Sequence, residues 1–252
     1  MPKSTPPAFF AIISDIHANI DALEAVLADI EQVSVRATLC LGDIIGYGPE
    51  PAACVQRVMD ACVVSVLGNH EAMLFLADRF PPEELGAAVG APIQLASEQL
   101  SAEQNEWLHT LPIKADLDPI TLTHAALNNP GNFEYIHTTE EAGAHFAVQT
   151  TFMSFQGHTH VPAIWEEGSE GVRCYHPSPK AVRLNPACRY AVNVGSVGQP
   201  RDDDPRASYA LYDYANRVLL HRRVEYDTAA AAKRFKKAGL PTESATRLAK
   251  GI

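Results

Sequence analysis

A chain of 252 residues, 46% of them hydrophobic, is long for one domain but suits a single large α/β unit with a sizeable core. Its formal net charge of −10 argues against electrostatic capture of long nucleic acid. Its five cysteines (Cys40, Cys54, Cys62, Cys174 and Cys188), odd in number and without a C-x-x-C pair, suit free thiols in a reducing cytosol. No apolar run approaches the roughly 20 residues needed to cross a bilayer. Phe9–Ile13 runs straight into Asp15, unlike a signal peptide. The expectation is a soluble cytoplasmic protein.

After a Pro-rich leader, Ala8–Ile13 predicts a strand buried on both faces, ending at Ser14-Asp15-Ile16-His17. Asn19 is a plausible N-cap for a helix that carries Ile20, Leu23, Val26, Leu27 and Ile30 on one face. A second strand, Ala37–Leu41, leads into Gly42-Asp43, and a helix follows Gly46-Tyr47-Gly48-Pro49 to about Asp60. A third strand, Val63–Leu67, runs into Gly68-Asn69-His70-Glu71. This alternation predicts βαβ units and a largely parallel sheet.

Residues 72–111 read as a mostly helical insertion broken at Pro81-Pro82, with a capping box at Ser101–Gln104 opening a helix that carries Trp107 and Leu108. Strands return at Ile113–Leu117 and Ile120–Thr123, the second leading into His124. Thr138–Glu141 reads as a further capping box, before a helix to about Val148. Thr151–Phe155 reads as a buried strand running into Gln156-Gly157-His158-Thr159-His160. On an extended backbone the two histidines, at i and i+2, would point the same way, and Gly157 would allow close backbone approach. A β-rich half follows: Val161–Trp165, Val172–Tyr175, Ala181–Leu184, Tyr190–Val194, Ala207–Tyr212 and Val218–Val224. Its short turns favour antiparallel pairing. Two helices near Thr228–Ala238 and Thr242–Lys250 form a basic tail with Lys233, Arg234, Lys236, Lys237, Arg247 and Lys250 against Glu243 alone. That tail reads as a solvated helix face, with an anchor for a polyanion as the alternative. No repeat or interdomain linker is visible, so residues 1–252 read as one domain.

Five strand-like runs thus end in residues able to bind metal: Asp15 and His17, Asp43, Asn69 and His70, His124, and His158 and His160. Open α/β sheets build their sites at the carboxyl ends of strands. The set contains carboxylates, imidazoles and an amide but no thiolate, unlike a structural zinc site. These are too many for one ion, and seven of them suit two if one carboxylate bridges. Two ions about 3.5–4 Å apart can hold the attacking and leaving oxygens of an in-line displacement. Hydrolysis of a phosphate ester or anhydride is the chemistry implied.

In this order, Asp-x-His, Gly-Asp, Gly-Asn-His-Glu, His and Gly-His-x-His resemble the calcineurin-like metallophosphoesterase superfamily, over about Phe9 to Tyr214. The resemblance implies a four-layer αββα sandwich of two mixed β-sheets flanked by helices. It implies that Asp15, His17 and His160 bind one metal, that Asn69, His124 and His158 bind the other, and that Asp43 bridges. His70 would face the substrate phosphate. The expected cofactors are two divalent transition-metal ions (Mn, Fe, Zn or Ni). Gly42–Gly48 lacks the second Asp and the Arg of the Gly-Asp-x-x-Asp-Arg-Gly run found in the protein serine/threonine phosphatase branch. That departure argues against a phosphoprotein substrate and leaves His70 without its orienting carboxylate. Gly46–Pro49 and Asn193–Arg201 look instead like the small prokaryotic phosphodiesterase branch, often labelled dinucleoside tetraphosphatases.

The expected partner is a small phosphorylated molecule, with a nucleotide among the candidates. Rival readings are a non-catalytic protein-binding scaffold, a phosphomonoesterase, or a mononuclear zinc hydrolase that would leave half the constellation unexplained. Arg201 has two readings of equal weight, a substrate-phosphate contact or an ion pair with Asp202, Asp203 or Asp204. Asn19 reads as a cap and Trp107 as helix packing. His109, His137, His145, His176 and His221 match no motif.

Overall fold

The computed structural model describes residues 9–76 and 84–252. The Pro-rich leader, Ala8 and the Pro81-Pro82 break lie outside the described residues. Twelve described strands form two six-stranded sheets. The first sheet is ordered β3 (Cys62–Ser65), β2 (Val35–Cys40), β1 (Phe9–Ile13), β11 (Ala207–Asp213), β12 (Val218–Val224) and β9 (Val182–Arg183). The second runs β4 (Lys114–Asp116), β5 (Ile120–Thr123), β6 (Met153–Gln156), β10 (Arg189–Asn193), β7 (Ala163–Gly168) and β8 (Gly171–Tyr175).

Each sheet joins a parallel triplet to antiparallel strands. β1 pairs in parallel with β2, and β2 with β3, while β11 lies antiparallel to β1. In the other sheet β6 pairs in parallel with both β5 and β10, while β7 is antiparallel to β10. The largely parallel sheet expected from the βαβ pattern is therefore only half of a sheet. Strands from the end of the chain return beside β1 and complete it in the opposite sense.

Period-two alternation accounts for the layers. On β1, Ala11 and Ile13 face the helices, while Ile12 faces the space between the sheets. That inner layer holds Ile12, Leu39 and Tyr212 from one sheet against Leu122, Phe155 and Val192 from the other. Each such side chain contributes about 1.5–3 kcal/mol on full burial. Outside the first sheet pack α1 (Ile20–Glu31), α2 (Pro51–Ala61), α4 (Ala87–Gln99) and α5 (Ala102–His109), so the helices of the 72–111 stretch join the core through Ile93, Ala96 and Leu108. α6 (Thr139–Val148) covers the second sheet through Ala142 and Phe146. α7 (Thr228–Lys237) and α8 (Thr242–Leu248) pack on each other around Phe235 and Leu248.

Local signals hold at the ends of the helices. Asn19 caps α1 by accepting from Ala22 N at 3.2 Å, and both capping boxes, Ser101–Gln104 and Thr138–Glu141, close as expected. One boundary differs. α3 (Asn69–Phe75) starts at Asn69 instead of Ala72, so Asn69 and His70 stand in its first turn. Of the tail cations, Arg234 pairs with Asp21 and Glu50, while Lys233, Lys236, Lys237, Arg247 and Lys250 are exposed. The five cysteines are unpaired. No described helix is long and apolar enough to cross a membrane.

Candidate metal centre

The parallel triplets deliver the site. β1 ends two residues before Asp15, β2 leads to Asp43, and β3 leads to Asn69 and His70; β5 ends at His124 and β6 at the Gly157–His160 loop. Backbone bonds lock the loops of the first sheet together: Asp15 N donates to Gly42 O at 3.1 Å and His17 N to Asp43 O at 2.9 Å. The extended backbone expected for the histidine pair is absent. His158 and His160 have φ of 68° and 60°, and His158 presents Nδ1 to the cluster while His160 presents Nε2. The chain turns at Gly157, where a Cβ would run into Asp15 Oδ2 and Ser14 Oγ.

All seven expected ligand residues converge. Asp15, His17 and His160 form one buried group, and Asp43, His124 and His158 another, each with its donor atoms within 4.8 Å of one another. Asn69 Oδ1 joins the second at 3.0 Å from His124 Nε2. Asp43 Oδ2 reaches toward both, lying 3.8 Å from His17 Nε2 and 3.3 Å from His124 Nε2. His70 Nε2 stands 3.9 Å from the same oxygen.

These residues fit metal ions. His17, His124 and His160 hold Nδ1 against the carbonyls of Ile45 (3.2 Å), Leu41 (2.8 Å) and Gln199 (2.6 Å). A carbonyl only accepts, so each Nδ1 carries a proton and Nε2 is the atom turned inward, with a lone pair to offer whenever the ring is neutral. His17 Nε2 and His160 Nε2 then face each other at 3.0 Å. Two lone pairs at that distance repel, and either a proton on one ring or a metal ion shared by both relieves the repulsion.

Electrostatics point the same way. Burial would raise the pKa of Asp15 and Asp43, but the imidazoles around them, His160 at Asp15 and His124 at Asp43 foremost, hold both below the ordinary carboxylate range. Burial lowers His17 and pushes His158 down to about 3, favouring neutral rings at these two; burial lowers His70 as well, and the neighbouring Asp43 carboxylate opposes it by favouring the protonated ring. Burial also acts to lower His124, yet Asp43 and Asp15 raise it to about 9, a measure of how negative the centre is. Backbone strain is concentrated here as well. Of the ten described non-glycine residues with positive φ, Asp15, His17, Ala18, Asp43, Tyr47, His158 and His160 belong to these loops. Such conformations cost about 1–2 kcal/mol each and persist where surrounding bonds over-determine them.

Three features were not expected. Glu71, fully buried, does not orient the His70 ring; its carboxylate accepts from the backbone N–H of Asp43 (2.9 Å), Ile44 (2.8 Å), Ile45 (3.1 Å) and Gly68 (3.0 Å). It ties the Asp43 loop to the start of α3. Burial and the nearby Asp43 push its pKa up to about 7. The Asn193–Arg201 loop is the second scaffold: Asn193 donates to Thr159 Oγ1 (3.0 Å), Ser196 to Asp15 O (2.7 Å), and Gln199 O receives His160 Nδ1. Its run of Asn, Gly and Ser after a strand was the signal available in the sequence. Tyr135 stacks on His158, with centroids 4.1 Å apart and planes 12° apart, and nothing in the sequence marked it.

Arg201 pairs with none of its acidic neighbours. Asp202 bonds Arg223 and Asp204 bonds Arg206, while the Arg201 guanidinium donates to Gln199 Oε1 at 2.9 Å. The remaining histidines are occupied elsewhere: His109 stacks on Phe75, His137 on Tyr135, His145 bonds Ser154, His176 faces Pro162 O, and His221 bonds Ser208.

Two mixed sheets flanked by helices, with a buried Asp/His/Asn cluster at the ends of their parallel strands, define the metallophosphoesterase class. The chain belongs to the calcineurin-like phosphoesterase superfamily, whose domain model matches residues 9–217. It is 32% identical to uncharacterized protein MJ0912 of Methanocaldococcus jannaschii over 249 residues, covering 96% of this chain and 97% of that one. The crystal structure of a metallophosphoesterase from Sphaerobacter thermophilus aligns with a TM-score of 0.86 at 36% identity, over 97% of this chain and 99% of the other. Hypothetical protein PH1004 from Pyrococcus horikoshii OT3 shares the fold, with a TM-score of 0.76 at 21% identity over 97% and 98% of the two chains.

Proposed function

We propose that the chain is a dinuclear metal-dependent phosphoesterase that hydrolyses a phosphodiester or nucleotide phosphoanhydride by in-line displacement at phosphorus. The observation that carries this reading is Asp43 Oδ2, less than 4 Å from a ring of each triad. Asp15, His17 and His160 would hold one ion, Asn69, His124 and His158 the other, and Asp43 both. The mixed O/N donors favour Mn, Fe, Zn or Ni over Ca. When bound, two such ions supply Lewis acidity that activates water at neutral pH and offsets charge on the phosphoryl oxygens.

The protein's own groups do the rest. Nδ1–carbonyl bonds keep the imidazole lone pairs aimed. His70, beside Asp43 but outside both ligand sets, gives a proton to the leaving oxygen or stabilises the phosphoryl charge. Arg201, with Asp202 and Asp204 engaged by other arginines, binds phosphoryl oxygens. Gly42–Gly48 has no counterpart of the phosphoprotein-phosphatase Asp and Arg, which favours a small phosphorylated substrate.

Elemental analysis of metal-reconstituted protein is expected to find two ions per chain, and one ion would refute the dinuclear reading. A hydrolysis screen should show turnover of phosphodiesters or dinucleoside polyphosphates. Turnover of monoesters alone would replace the substrate class, and no turnover with two ions bound would favour a binding scaffold. Arg201→Ala should lower kcat/KM by about 2–3 kcal/mol, the worth of a charge-assisted contact, with metal content unchanged. Wild-type kinetics in that variant would remove Arg201 from the site.

A further inference from the structure

We propose that Tyr47 is the positioning residue of this site: its ring sets His70 and Arg201 in place together, in the role that a carboxylate partner of His70 would otherwise fill. The proposal rests on the functions assigned above to those two residues.

His70 is buried, and its Nδ1 has no hydrogen-bond partner among the described residues. What holds the ring is contact. Gly46 lies against it so closely that a Cβ there would run into Nδ1. The His17 ring abuts it at 4.9 Å and 76°, and the Tyr47 ring at 4.7 Å and 56°. Gly46, Tyr47 and His17 therefore form a steric slot on a ring whose Nδ1 has no polar tether among the described residues.

The other neighbour of Tyr47 is Arg201, whose guanidinium carbon lies 5.6 Å from the ring centroid. Its Nε is buried without a partner among the described residues, and Gln199 Oε1 accepts from its head group. A cation held above an aromatic ring is drawn to the negative face of the π-system. One ring thus lies against both the imidazole and the guanidinium to which substrate roles were assigned above, and it also meets the His17 ring at 4.7 Å and 72°.

The backbone is built to keep the ring there. Gly48 N donates to Gly46 O at 2.6 Å, closing a three-residue turn around Tyr47, whose φ of 55° is a conformation that bulky residues rarely adopt. The contacts described involve the ring and not the hydroxyl, so phenylalanine should serve as well.

The test compares Tyr47→Phe and Tyr47→Leu in Mn-loaded protein, each alone and combined with Arg201→Ala. Inorganic-phosphate affinity is read by calorimetry, ions per chain by elemental analysis, and kcat over aryl phosphodiesters of graded leaving-group ability. Tyr47→Phe should match wild type within about twofold. Tyr47→Leu should keep its ions and weaken phosphate binding by about five- to thirtyfold, the range of a partly desolvated cation–π contact. That loss should vanish in the Arg201→Ala background, and kcat should fall most for poor leaving groups. The proposal is overturned if Tyr47→Leu behaves as wild type, if phenylalanine is as damaging as leucine, if the phosphate effect adds in full to Arg201→Ala, or if ions are lost. A wild-type protein that neither binds phosphate nor hydrolyses any ester overturns the phosphoesterase reading as well. An active wild type with an impaired Arg201→Ala and an unaffected Tyr47→Leu overturns this proposal alone.

Discussion

Asp43→Asn should empty both metal positions together. The substitution keeps the shape of the side chain and can still accept from His70 N, as Asp43 Oδ1 does at 2.9 Å. What it removes is the charge on Oδ2, the oxygen that reaches His17 and His124 alike. It can also place an amide N–H among inward-facing lone pairs. Supporting groups around a metal typically account for 10–100-fold in affinity, so loss of a shared ligand should exceed about 10²-fold at each position. Calorimetric titration with Mn²⁺, followed by elemental analysis after dialysis, would detect it. Asp15→Asn is the control: Asp15 is an expected ligand in one triad only, and although its carboxylate also accepts from His158 N at 3.0 Å, an asparagine oxygen can keep that bond, so one position should weaken preferentially. If Asp43→Asn bound two ions normally and kept full activity, the bridging role would be wrong.

The second large effect is expected at His70. Its Nε2 is 3.9 Å from Asp43 Oδ2 and its Nδ1 is free of partners among the described residues, so the ring is available to a substrate in a way the tethered rings of His17, His124 and His160 are not. General acid catalysis contributes about 10²–10⁴-fold, or roughly 2.7–5.5 kcal/mol at about 1.36 kcal/mol per tenfold. His70→Gln should therefore cut kcat by that factor while two ions stay bound. The deficit should shrink for nitrophenyl esters, whose leaving groups need little protonation. An equal deficit across leaving groups would make His70 a charge stabiliser, and loss of an ion would make it a ligand.

The candidate ligand residues were legible because each stands just after an apolar run, where strand periodicity gives way to a polar residue able to bind metal. Caps were legible for the same local reason: Asn19, Ser101 and Thr138 act within three residues of themselves. The sheet order was not. That β10 lies between β6 and β7, or β11 beside β1, depends on pairings between segments far apart in the chain that no local pattern encodes. The supports of the site were hidden for a related reason. Glu71 grips backbone N–H groups, and the carbonyls of Leu41, Ile45 and Gln199 orient histidines. Every residue except proline carries a backbone N–H, and every residue a carbonyl, so side-chain identity says nothing about which are used. Tyr47 was unmarked in the sequence because its ring contacts, with His70 of α3 and with Arg201, join segments far apart in the chain.

The two parallel triplets belong to different sheets, and their strand ends meet across the layer of Ile12, Leu39, Phe155 and Val192. An ion held by Asp15 and His17 from one sheet and His160 from the other would therefore act as a staple across that seam. Since an ion set this way binds the assembled sandwich and not the unfolded chain, occupancy and folding are thermodynamically linked. At about 100 times the dissociation constant, each such ion would add roughly 2.7 kcal/mol to the folded state. Ion supply would then govern how long the molecule survives as well as how fast it turns over.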